Sequence, residues 1–150
     1  MSFFNGMNIS ASGMTAQRLR MDLISQNIAN VNTTRDEDGE PYRRQTVLFA
    51  EQQSDTFGSI LEKTSLGRSK KVNGNGVQVV GIVEDHVTEM KKVYDPSHPD
   101  ADEEGYVSYP NVNTVTEMTN LIDASRSYEA NVTAFNATKN MLLKGLEVGK

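Results

Sequence analysis

The chain has 150 residues, a formal net charge of −5 and 37% hydrophobic residues, enough for one domain with a modest core. It contains no Cys, which excludes disulfides, thiolate metal sites and a cysteine nucleophile. No apolar run approaches the roughly 18 residues of a membrane span. The acidic balance argues against sequence-independent binding of nucleic acid, which requires a basic face.

The N-terminal segment, residues 1–34, predicts a long helix with a heptad-like apolar seam. Gly13 is the one glycine between Met7 and Thr34, and no proline interrupts this stretch. A second apolar set, Ile9, Ala16 and Leu23, lies about 200° away around the helix. Two stripes indicate burial on more than one side. The residues of the heptad-like seam, which we predict to pack between subunits, are Met7, Met14, Met21, Ile24, Ile28 and Val31.

The C-terminal segment, residues 111–150, repeats this pattern after Pro110. Its apolar residues follow alternating steps of three and four, with polar breaks at Ser125 and Lys139. Both helices are low in charge and modest in helix propensity, so they need packing partners to be stable. The residues that we predict to pack between subunits on this helix are Met118, Leu121, Tyr128, Val132, Phe135, Leu142 and Leu146.

The middle of the chain, residues 35–110, contains the surplus of acidic over basic residues, and its pattern predicts a small β-rich insert. We predict strands over 42–50, 77–83, 90–94 and 106–109, and a flexible connection over 51–76. The sequence therefore predicts an α+β fold, in which long N- and C-terminal helices pack as a coiled-coil-like pair that encloses this β-hairpin-rich region. The two helices would form one discontinuous domain from residues 1–34 and 111–150.

Two readings of the helical ends remain open. An antiparallel pair within one chain explains one stripe on each helix. It leaves Ile9, Ala16, Leu23, Ile122 and Met141 less explained, and for that reason we favour packing between subunits. In that case the ends gain order when neighbouring subunits bury them.

The acidic loop 95–105 is the strongest candidate for chemistry outside the helices. Asp100, Asp102, Glu104 and Gly105 fit the first half of a calcium loop. The twelfth position, which should be a bidentate Glu, is Asn111. A structural turn is the simpler reading, and a soluble module that binds a ligand or calcium through this loop is the alternative function. No pattern predicts a catalytic site, a metal site or a cofactor.

Several stretches together resemble one known family. Residues 10–21 and 27–34 resemble the N-terminal signature of bacterial flagellar rod and hook proteins, and residues 125–132 resemble their C-terminal signature. Residues 41–45, 94–107 and 109–113 resemble the proximal-rod members of the flagellar basal-body rod protein family. The residues that carry this resemblance are Ser12, Gly13, Gln17, Arg18, Asn27, Asn30, Asn32, Tyr42, Arg43, Arg44, Asp95, Pro96, Gly105, Tyr106, Pro110, Asn111, Arg126, Tyr128 and Asn131.

This resemblance implies a structural subunit without catalysis. Such proteins leave the cell through the flagellar type III export apparatus without signal cleavage, and they polymerise into a helical tube lined by their terminal helices. The implied partners are other copies of the chain, other rod proteins and the membrane-ring or export-gate base, without nucleic acid and without direct membrane insertion. The implied location is the basal-body rod, outside the cytoplasmic membrane.

Overall fold

A computed structural model describes residues 3–36, 39–52 and 75–148. Two long helices, α1 (Phe3–Ala29) and α2 (Thr114–Val148), lie at the two ends of the chain. In the described part of the chain between them, the strands are β1 (Gln45–Glu51), β2 (Val77–Glu84), β3 (Lys91–Tyr94) and β4 (Tyr106–Tyr109). The α+β prediction is therefore confirmed. The predicted connection over 51–76 falls mostly on residues 53–74, outside the described residues.

Local sequence explains where α1 ends and where α2 begins. In α1 the backbone turns after Ala29, and the Thr33 hydroxyl donates to Asn30 Oδ1 at 3.1 Å. At the start of α2, Asn113 Oδ1 accepts from the backbone N–H groups of Val115 and Thr116, at 3.0 and 3.3 Å. This is an N-cap, which satisfies donors that no intrahelical carbonyl can reach. Both helices therefore begin or end at residues suited to those positions.

The strands form two separate two-stranded sheets, one of β1 and β2 and one of β3 and β4. The second pair is antiparallel, with Lys91 opposite Tyr109 and Tyr94 opposite Tyr106. Its loop closes at Gly105, where φ is +84° and an added Cβ would lie 3.0 Å from the Tyr94 ring. A residue with a side chain would be strained there.

Strand β1 begins three residues later than predicted. The Tyr42 N–H donates to the Thr33 carbonyl at 3.2 Å, and the Arg44 N–H donates to Asn111 Oδ1 at 2.9 Å. These backbone groups bond to the segment after α1 and the segment before α2 rather than to another strand. The β-rich pattern of residues 42–44 therefore serves packing against the helices, and the ladder starts at Gln45.

The chain divides into two compact units. The terminal unit comprises Met1–Gln17, Phe49–Val80 and Ser127–Lys150, and the central unit comprises Arg18–Leu48 and Gly81–Arg126. Each helix contributes to both. The buried apolar side chains of the central unit are those of Leu23, Ile24, Tyr42, Val47, Val107 and Ala124. Among the described residues of the terminal unit, only Ser10 and Ala16 are buried.

The two helices pack together in antiparallel directions. In the terminal unit, a Cβ added at Gly6 would lie 3.9 Å from Thr138, and one added at Gly13 would lie 2.8 Å from the Asn131 side chain. In the central unit, Asn27 Nδ2 donates to Glu117 Oε2 at 3.2 Å. Residues later in α1 therefore contact residues earlier in α2. None of the helices in the described residues is long and apolar enough to span a membrane.

Candidate functional site

The centre of the most connected site is the carboxylate of Glu117, in the first turn of α2, which is only 1% exposed. Its Oε1 accepts from Arg44 Nε and lies 2.9 Å from Arg44 Nη2, and its Oε2 accepts from Asn27. Asn120 Nδ2 lies 3.4 Å from Oε1. A buried carboxylate requires such pairing, because an isolated charge in a low-dielectric interior is strongly destabilising.

Asn27 connects this carboxylate to strand β1. Its Oδ1 accepts from the Tyr42 hydroxyl and from the Gln45 N–H, both at 2.9 Å. Its Nδ2 donates to the Gln45 carbonyl at 2.9 Å as well as to Glu117. The amide therefore uses all four of its hydrogen-bonding positions, and it binds Gln45 at both backbone groups as a neighbouring strand would. Helix α1 is thus fixed to the start of β1 by one side chain.

Tyr42 lies against this amide with 7% of its surface exposed. Burial raises the pKa of the Tyr42 phenol above its usual value, and the nearby carboxylates of Glu84, Glu117 and Asp36 raise this pKa further. The hydroxyl therefore stays protonated and keeps donating to Asn27 across the physiological range.

A second asparagine, Asn111, holds the other side of the cluster. Its Oδ1 accepts from the Arg44 N–H, and its Nδ2 donates to the carbonyls of Asp85 and Thr88 at 2.8 and 3.2 Å. Hydrogen bonds from the Thr88 N–H and hydroxyl lower the pKa of Asp85, and the Val87 N–H and the Arg44 guanidinium also lower it. The cluster thus joins the end of α1, the start of β1, the turn after β2 and the start of α2.

The acidic loop 95–105 is held by its own turn contacts. Asp95 accepts from the Ser97 hydroxyl at 2.6 Å and from the Ser97 N–H, and these two bonds lower the pKa of Asp95. Asp102 Oδ1 accepts from the N–H groups of Glu104 and Tyr106. Asp100 faces the segment after α1, where Thr34 donates to it at 2.8 Å and Arg35 lies 3.5 Å away.

These carboxylates therefore cap turns and attach the loop to residues 34–35. Within the described ranges, no group of three or more His, Cys, Asp or Glu side chains converges in a way that could hold a metal ion. The calcium-binding alternative has no support in this geometry. The loop has a structural role beyond a simple turn, because Asp100 joins it to the chain that follows α1.

A smaller site lies in the terminal unit, around Ser12 and Gly13. The Ser12 hydroxyl donates to the Ile9 carbonyl at 2.7 Å and accepts from the Val77 N–H at 3.1 Å. Gly13 lies against Asn131, whose Nδ2 donates to the Ser127 carbonyl at 2.8 Å. A side chain at Gly13 would overlap Asn131, so glycine permits the close approach of the two helices here.

The residues predicted to pack between subunits differ in how much the chain itself covers them. Ile24 is buried, whereas Met118 and Leu146 are 54% and 71% exposed. The others are half-buried: Met7, Met14, Met21, Ile28, Val31, Leu121, Tyr128, Val132, Phe135 and Leu142. Of the second stripe, Ala16 and Leu23 are buried within the chain, while Ile9 is 37% exposed. The chain thus covers part of each stripe and leaves part of each open.

The residues that carry the family resemblance fall into three groups. The structure brings Asn27, Tyr42, Arg44 and Asn111 into the central cluster, and it brings Ser12, Gly13 and Asn131 to the terminal contact. The third group, Asp95, Pro96, Gly105 and Tyr106, lies in the β3–β4 hairpin, where Tyr94 meets Tyr106 edge-on at a ring-centroid distance of 5.3 Å. The others lie outside these contacts, half-buried or exposed, apart from the buried Pro110: Gln17, Arg18, Asn30, Asn32, Arg43, Arg126 and Tyr128.

Sequence reasoning missed Glu117, the one buried acidic side chain of the cluster. A signal was available, since Glu117 follows the N-cap Asn113 within one turn, where the helix dipole favours an acid. Nothing in its local pattern distinguishes it from an exposed first-turn acid, however. Its burial depends on Asn27 and Arg44, which lie 90 and 73 residues away along the chain.

Two sequence profiles match the two ends of the chain. "Flagella basal body rod protein" matches residues 7–35, and "Flagellar basal body rod FlgEFG protein C-terminal" matches residues 103–148. Among curated proteins, the flagellar basal-body rod protein FlgC of Bacillus subtilis is 50% identical, over 100% of both chains. The protein of the same name from Borreliella burgdorferi is 44% identical over 99% of this chain and 98% of its own. That from Escherichia coli O157:H7 is 36% identical over 100% of both chains.

Proposed function

This chain belongs to the FlgC family of flagellar basal-body rod proteins, a family of structural rod subunits, and from that premise we propose how it assembles. We propose that its terminal helices, from residues 1–34 and 111–150, form the polymerising domain and pack against the helices of neighbouring subunits. The assembly would contain other copies of the chain and other rod proteins, seated on the membrane-ring or export-gate base. It would transmit torque from the motor towards the hook.

The observation that carries this proposal is the exposed apolar stripe of α2. In the central unit, Val115, Met118 and Ile122 are 73%, 54% and 54% exposed, and they follow helical spacing on one face. In the terminal unit, Met141, Leu143 and Leu146 are 50% or more exposed. The three residues of the central unit form an apolar face that the chain itself leaves open, and such a face is typical of a protein–protein interface.

The β1–β2 ribbon adds a second open surface. In the central unit, Leu48, Ile82 and Val83 are 49%, 50% and 45% exposed, and in the terminal unit Val80 is 63% exposed. The ribbon is held on α1 by the bonds of Asn27 to Gln45 and of Ser12 to Val77, and these apolar side chains stay open. In the rod, neighbouring subunits would cover these exposed apolar side chains.

The route to this location is also part of the proposal. We propose export through the flagellar type III apparatus without cleavage of a signal peptide, and residence in the rod outside the cytoplasmic membrane. The support is family membership.

The test is Ile122→Asp, because this position is exposed in the chain but would be covered in the rod. We expect the variant to be exported at the normal level and to unfold at the normal denaturant concentration, while swimming is lost. The reason is that an unpaired charge buried at an interface costs several kcal/mol. Swimming in soft agar, export in culture supernatants and urea denaturation of the purified chain give the three readouts.

The matched control is Thr116→Asp, which adds the same charge on the same helix about 120° away from Ile122. Swimming by the Ile122→Asp strain would contradict the proposed packing. Two further variants, Met21→Asp and Phe135→Asp, extend the test to the half-buried seams, and we expect both to abolish motility while export continues.

A further inference from the structure

Apolar heptads alone do not define how far α1 is advanced along α2. In the terminal unit, helix contacts recur every seven residues on both helices, with Gly6 beside Thr138 and Gly13 beside Asn131. A slip of one heptad would set Gly6 beside Asn131, again a small residue facing a polar one. The apolar seams have the same seven-residue period, so they would still meet after the slip.

The buried polar cluster does not tolerate such a slip. If α1 moved in one direction, Asn27 would lie opposite residue 110, before α2 begins at Thr114. If it moved in the other direction, Glu117 would lie opposite residue 34, beyond the end of α1 at Ala29. In both cases the carboxylate loses its bond from Asn27, and Asn27 is displaced from Tyr42 and Gln45. In the first direction Arg20 would lie opposite Glu117, so the loss there falls on the bonds of Asn27.

This cluster favours one arrangement more than it adds net stability. Replacing a buried ion pair by apolar residues of similar size is often neutral or stabilising, whereas removal of a single partner is costly. A buried polar group that selects register or oligomeric state is the best-attested use of such groups. The four bonds of Asn27 and the paired bonds of Arg44 to Glu117 have the required dependence on position.

We propose that Asn27, Arg44 and Glu117 fix the register of α1 against α2. They are positioning residues: they determine which side chains of each helix face outward and are available to a neighbouring subunit. This assignment concerns the single chain and does not depend on the rod proposal. Its test therefore reads the chain itself, and it can fail while the Ile122→Asp test succeeds, or the reverse.

The experiment uses engineered cysteine pairs, which are unambiguous because the chain has no cysteine of its own. The pair Gly6→Cys with Thr138→Cys reports the observed register, and Gly6→Cys with Asn131→Cys reports a slip of one heptad. That slip moves the helix by about 10 Å, beyond the reach of a disulfide. The purified chain is oxidised at high dilution, and the intramolecular product is measured by mass spectrometry.

Each pair is placed in the natural background and in the apolar variant Asn27→Leu, Arg44→Met, Glu117→Leu. In the natural background we expect the observed-register pair to dominate. In the apolar variant we expect the ratio of slipped to observed product to rise at least about tenfold, corresponding to ~1.4 kcal/mol of lost discrimination. The matched control is Asn136→Leu, Arg18→Met, Glu129→Leu, the same three changes at exposed positions of the two helices, for which we expect no change in the ratio.

An unchanged ratio in an apolar variant that retains its helical circular dichroism would overturn the proposal. If that variant loses its helical signal, Asn27→Leu alone is used, since it keeps the Arg44–Glu117 pair. We expect a smaller rise in the ratio there, and no rise in a folded Asn27→Leu chain likewise overturns the proposal.

Discussion

The contacts between α1 and α2 differ in kind between the central unit and the terminal unit. In the central unit, the helices are joined by long-range hydrogen bonds, from Asn27 and Arg44 to Glu117, above a small apolar core. In the terminal unit, the described helix contacts are made by small residues, with Gly13 against Asn131 and buried side chains only at Ser10 and Ala16. Both units leave apolar side chains exposed, but only the central unit also joins its helices through a buried polar cluster among the described residues.

This difference indicates that the two parts of each helix differ in how far the chain's own contacts stabilise them. A region with few buried side chains is less stable in the free chain and depends more on cover from neighbouring subunits. A region that holds the chain's own arrangement buries its polar groups and satisfies them. In α1 the half up to Gln17 carries no charged residue and the other half holds Arg18, Arg20 and Asp22, whereas in α2 charged residues lie in both halves.

The largest expected effect is on hydrogen exchange, which separates the two units within each helix. In the dilute chain, we expect amides of α1 up to Gln17 and of α2 from Ser127 to exchange about 100-fold faster than those nearer Asn27 and Glu117. That ratio corresponds to ~2.7 kcal/mol of local stability. Mass spectrometry of the free chain and of isolated rods measures it.

In the assembled rod, the terminal portions should become strongly protected. Equal protection along each whole helix of the free chain would contradict the contrast between the units. The sequence alone predicts that both whole helical ends gain order together on assembly, and this measurement distinguishes that prediction from a difference within each helix.

The next effect is expected from Glu117→Leu, which breaks the central cluster at its centre. The change leaves the Arg44 guanidinium and Asn27 Nδ2 without their shared acceptor, and we expect a loss of about 3–5 kcal/mol in the free energy of unfolding. Urea denaturation followed by circular dichroism measures this loss.

Its control is Glu129→Leu, the same change at an exposed position of the same helix, which we expect to alter the free energy of unfolding by less than about 0.5 kcal/mol. A Glu117→Leu chain as stable as the control would mean that the cluster contributes no specific contact.

A smaller effect is expected from Gly13→Val in the terminal unit. The new side chain would meet Asn131, because a Cβ alone already lies 2.8 Å from its Oδ1. Overpacking of this kind costs about 1–3 kcal/mol, and part of it is relieved if the helices separate locally. Gly145→Ala is the control, since nothing lies within 4 Å of its added Cβ, and we expect it to stabilise the helix by about 0.5–1 kcal/mol. Thermal denaturation compares the two, and a Gly13→Val chain as stable as the natural one would show that the close approach is unnecessary.

Sequence patterns predicted the elements of this fold much better than they predicted its central site. The helices follow from seven-residue apolar spacing, and the strand over 106–109 follows from its aromatic and β-branched residues; both are local signals.

The partners of Glu117 are not local, and in sequence an acidic residue in the first turn of a helix looks the same whether or not it is buried. Asn27, Tyr42, Arg44 and Asn111 were identified only through resemblance, because an Asn that binds backbone groups has no periodicity of its own. The sequence also did not decide which stripe packs within the chain, since Ala16 and Leu23 form as regular a set as the methionines.

The smallest expected effect concerns Tyr42, and its size decreases as the pH rises above about 10. At neutral pH, Tyr42→Phe removes the hydroxyl that donates to Asn27 Oδ1. We expect a loss of about 1 kcal/mol in the free energy of unfolding, because Oδ1 still accepts from the Gln45 N–H.

The pH dependence follows from the pKa of the phenol. Burial, followed by the charges of Glu84, Glu117 and Asp36, raises the pKa of the folded Tyr42 phenol above 10.0. The folded chain therefore holds this proton more tightly than the unfolded chain. Stability from the protonated phenol is complete below the unfolded pKa of about 10 and is lost as the pH rises through the folded pKa. The Phe variant lacks this loss, so the difference in stability between the two chains should shrink as the pH rises above about 10. Urea denaturation at several pH values between about 7 and 11 measures the difference. A constant difference between natural and Tyr42→Phe chains across that range would mean that the phenol is not held in its neutral form by the central unit.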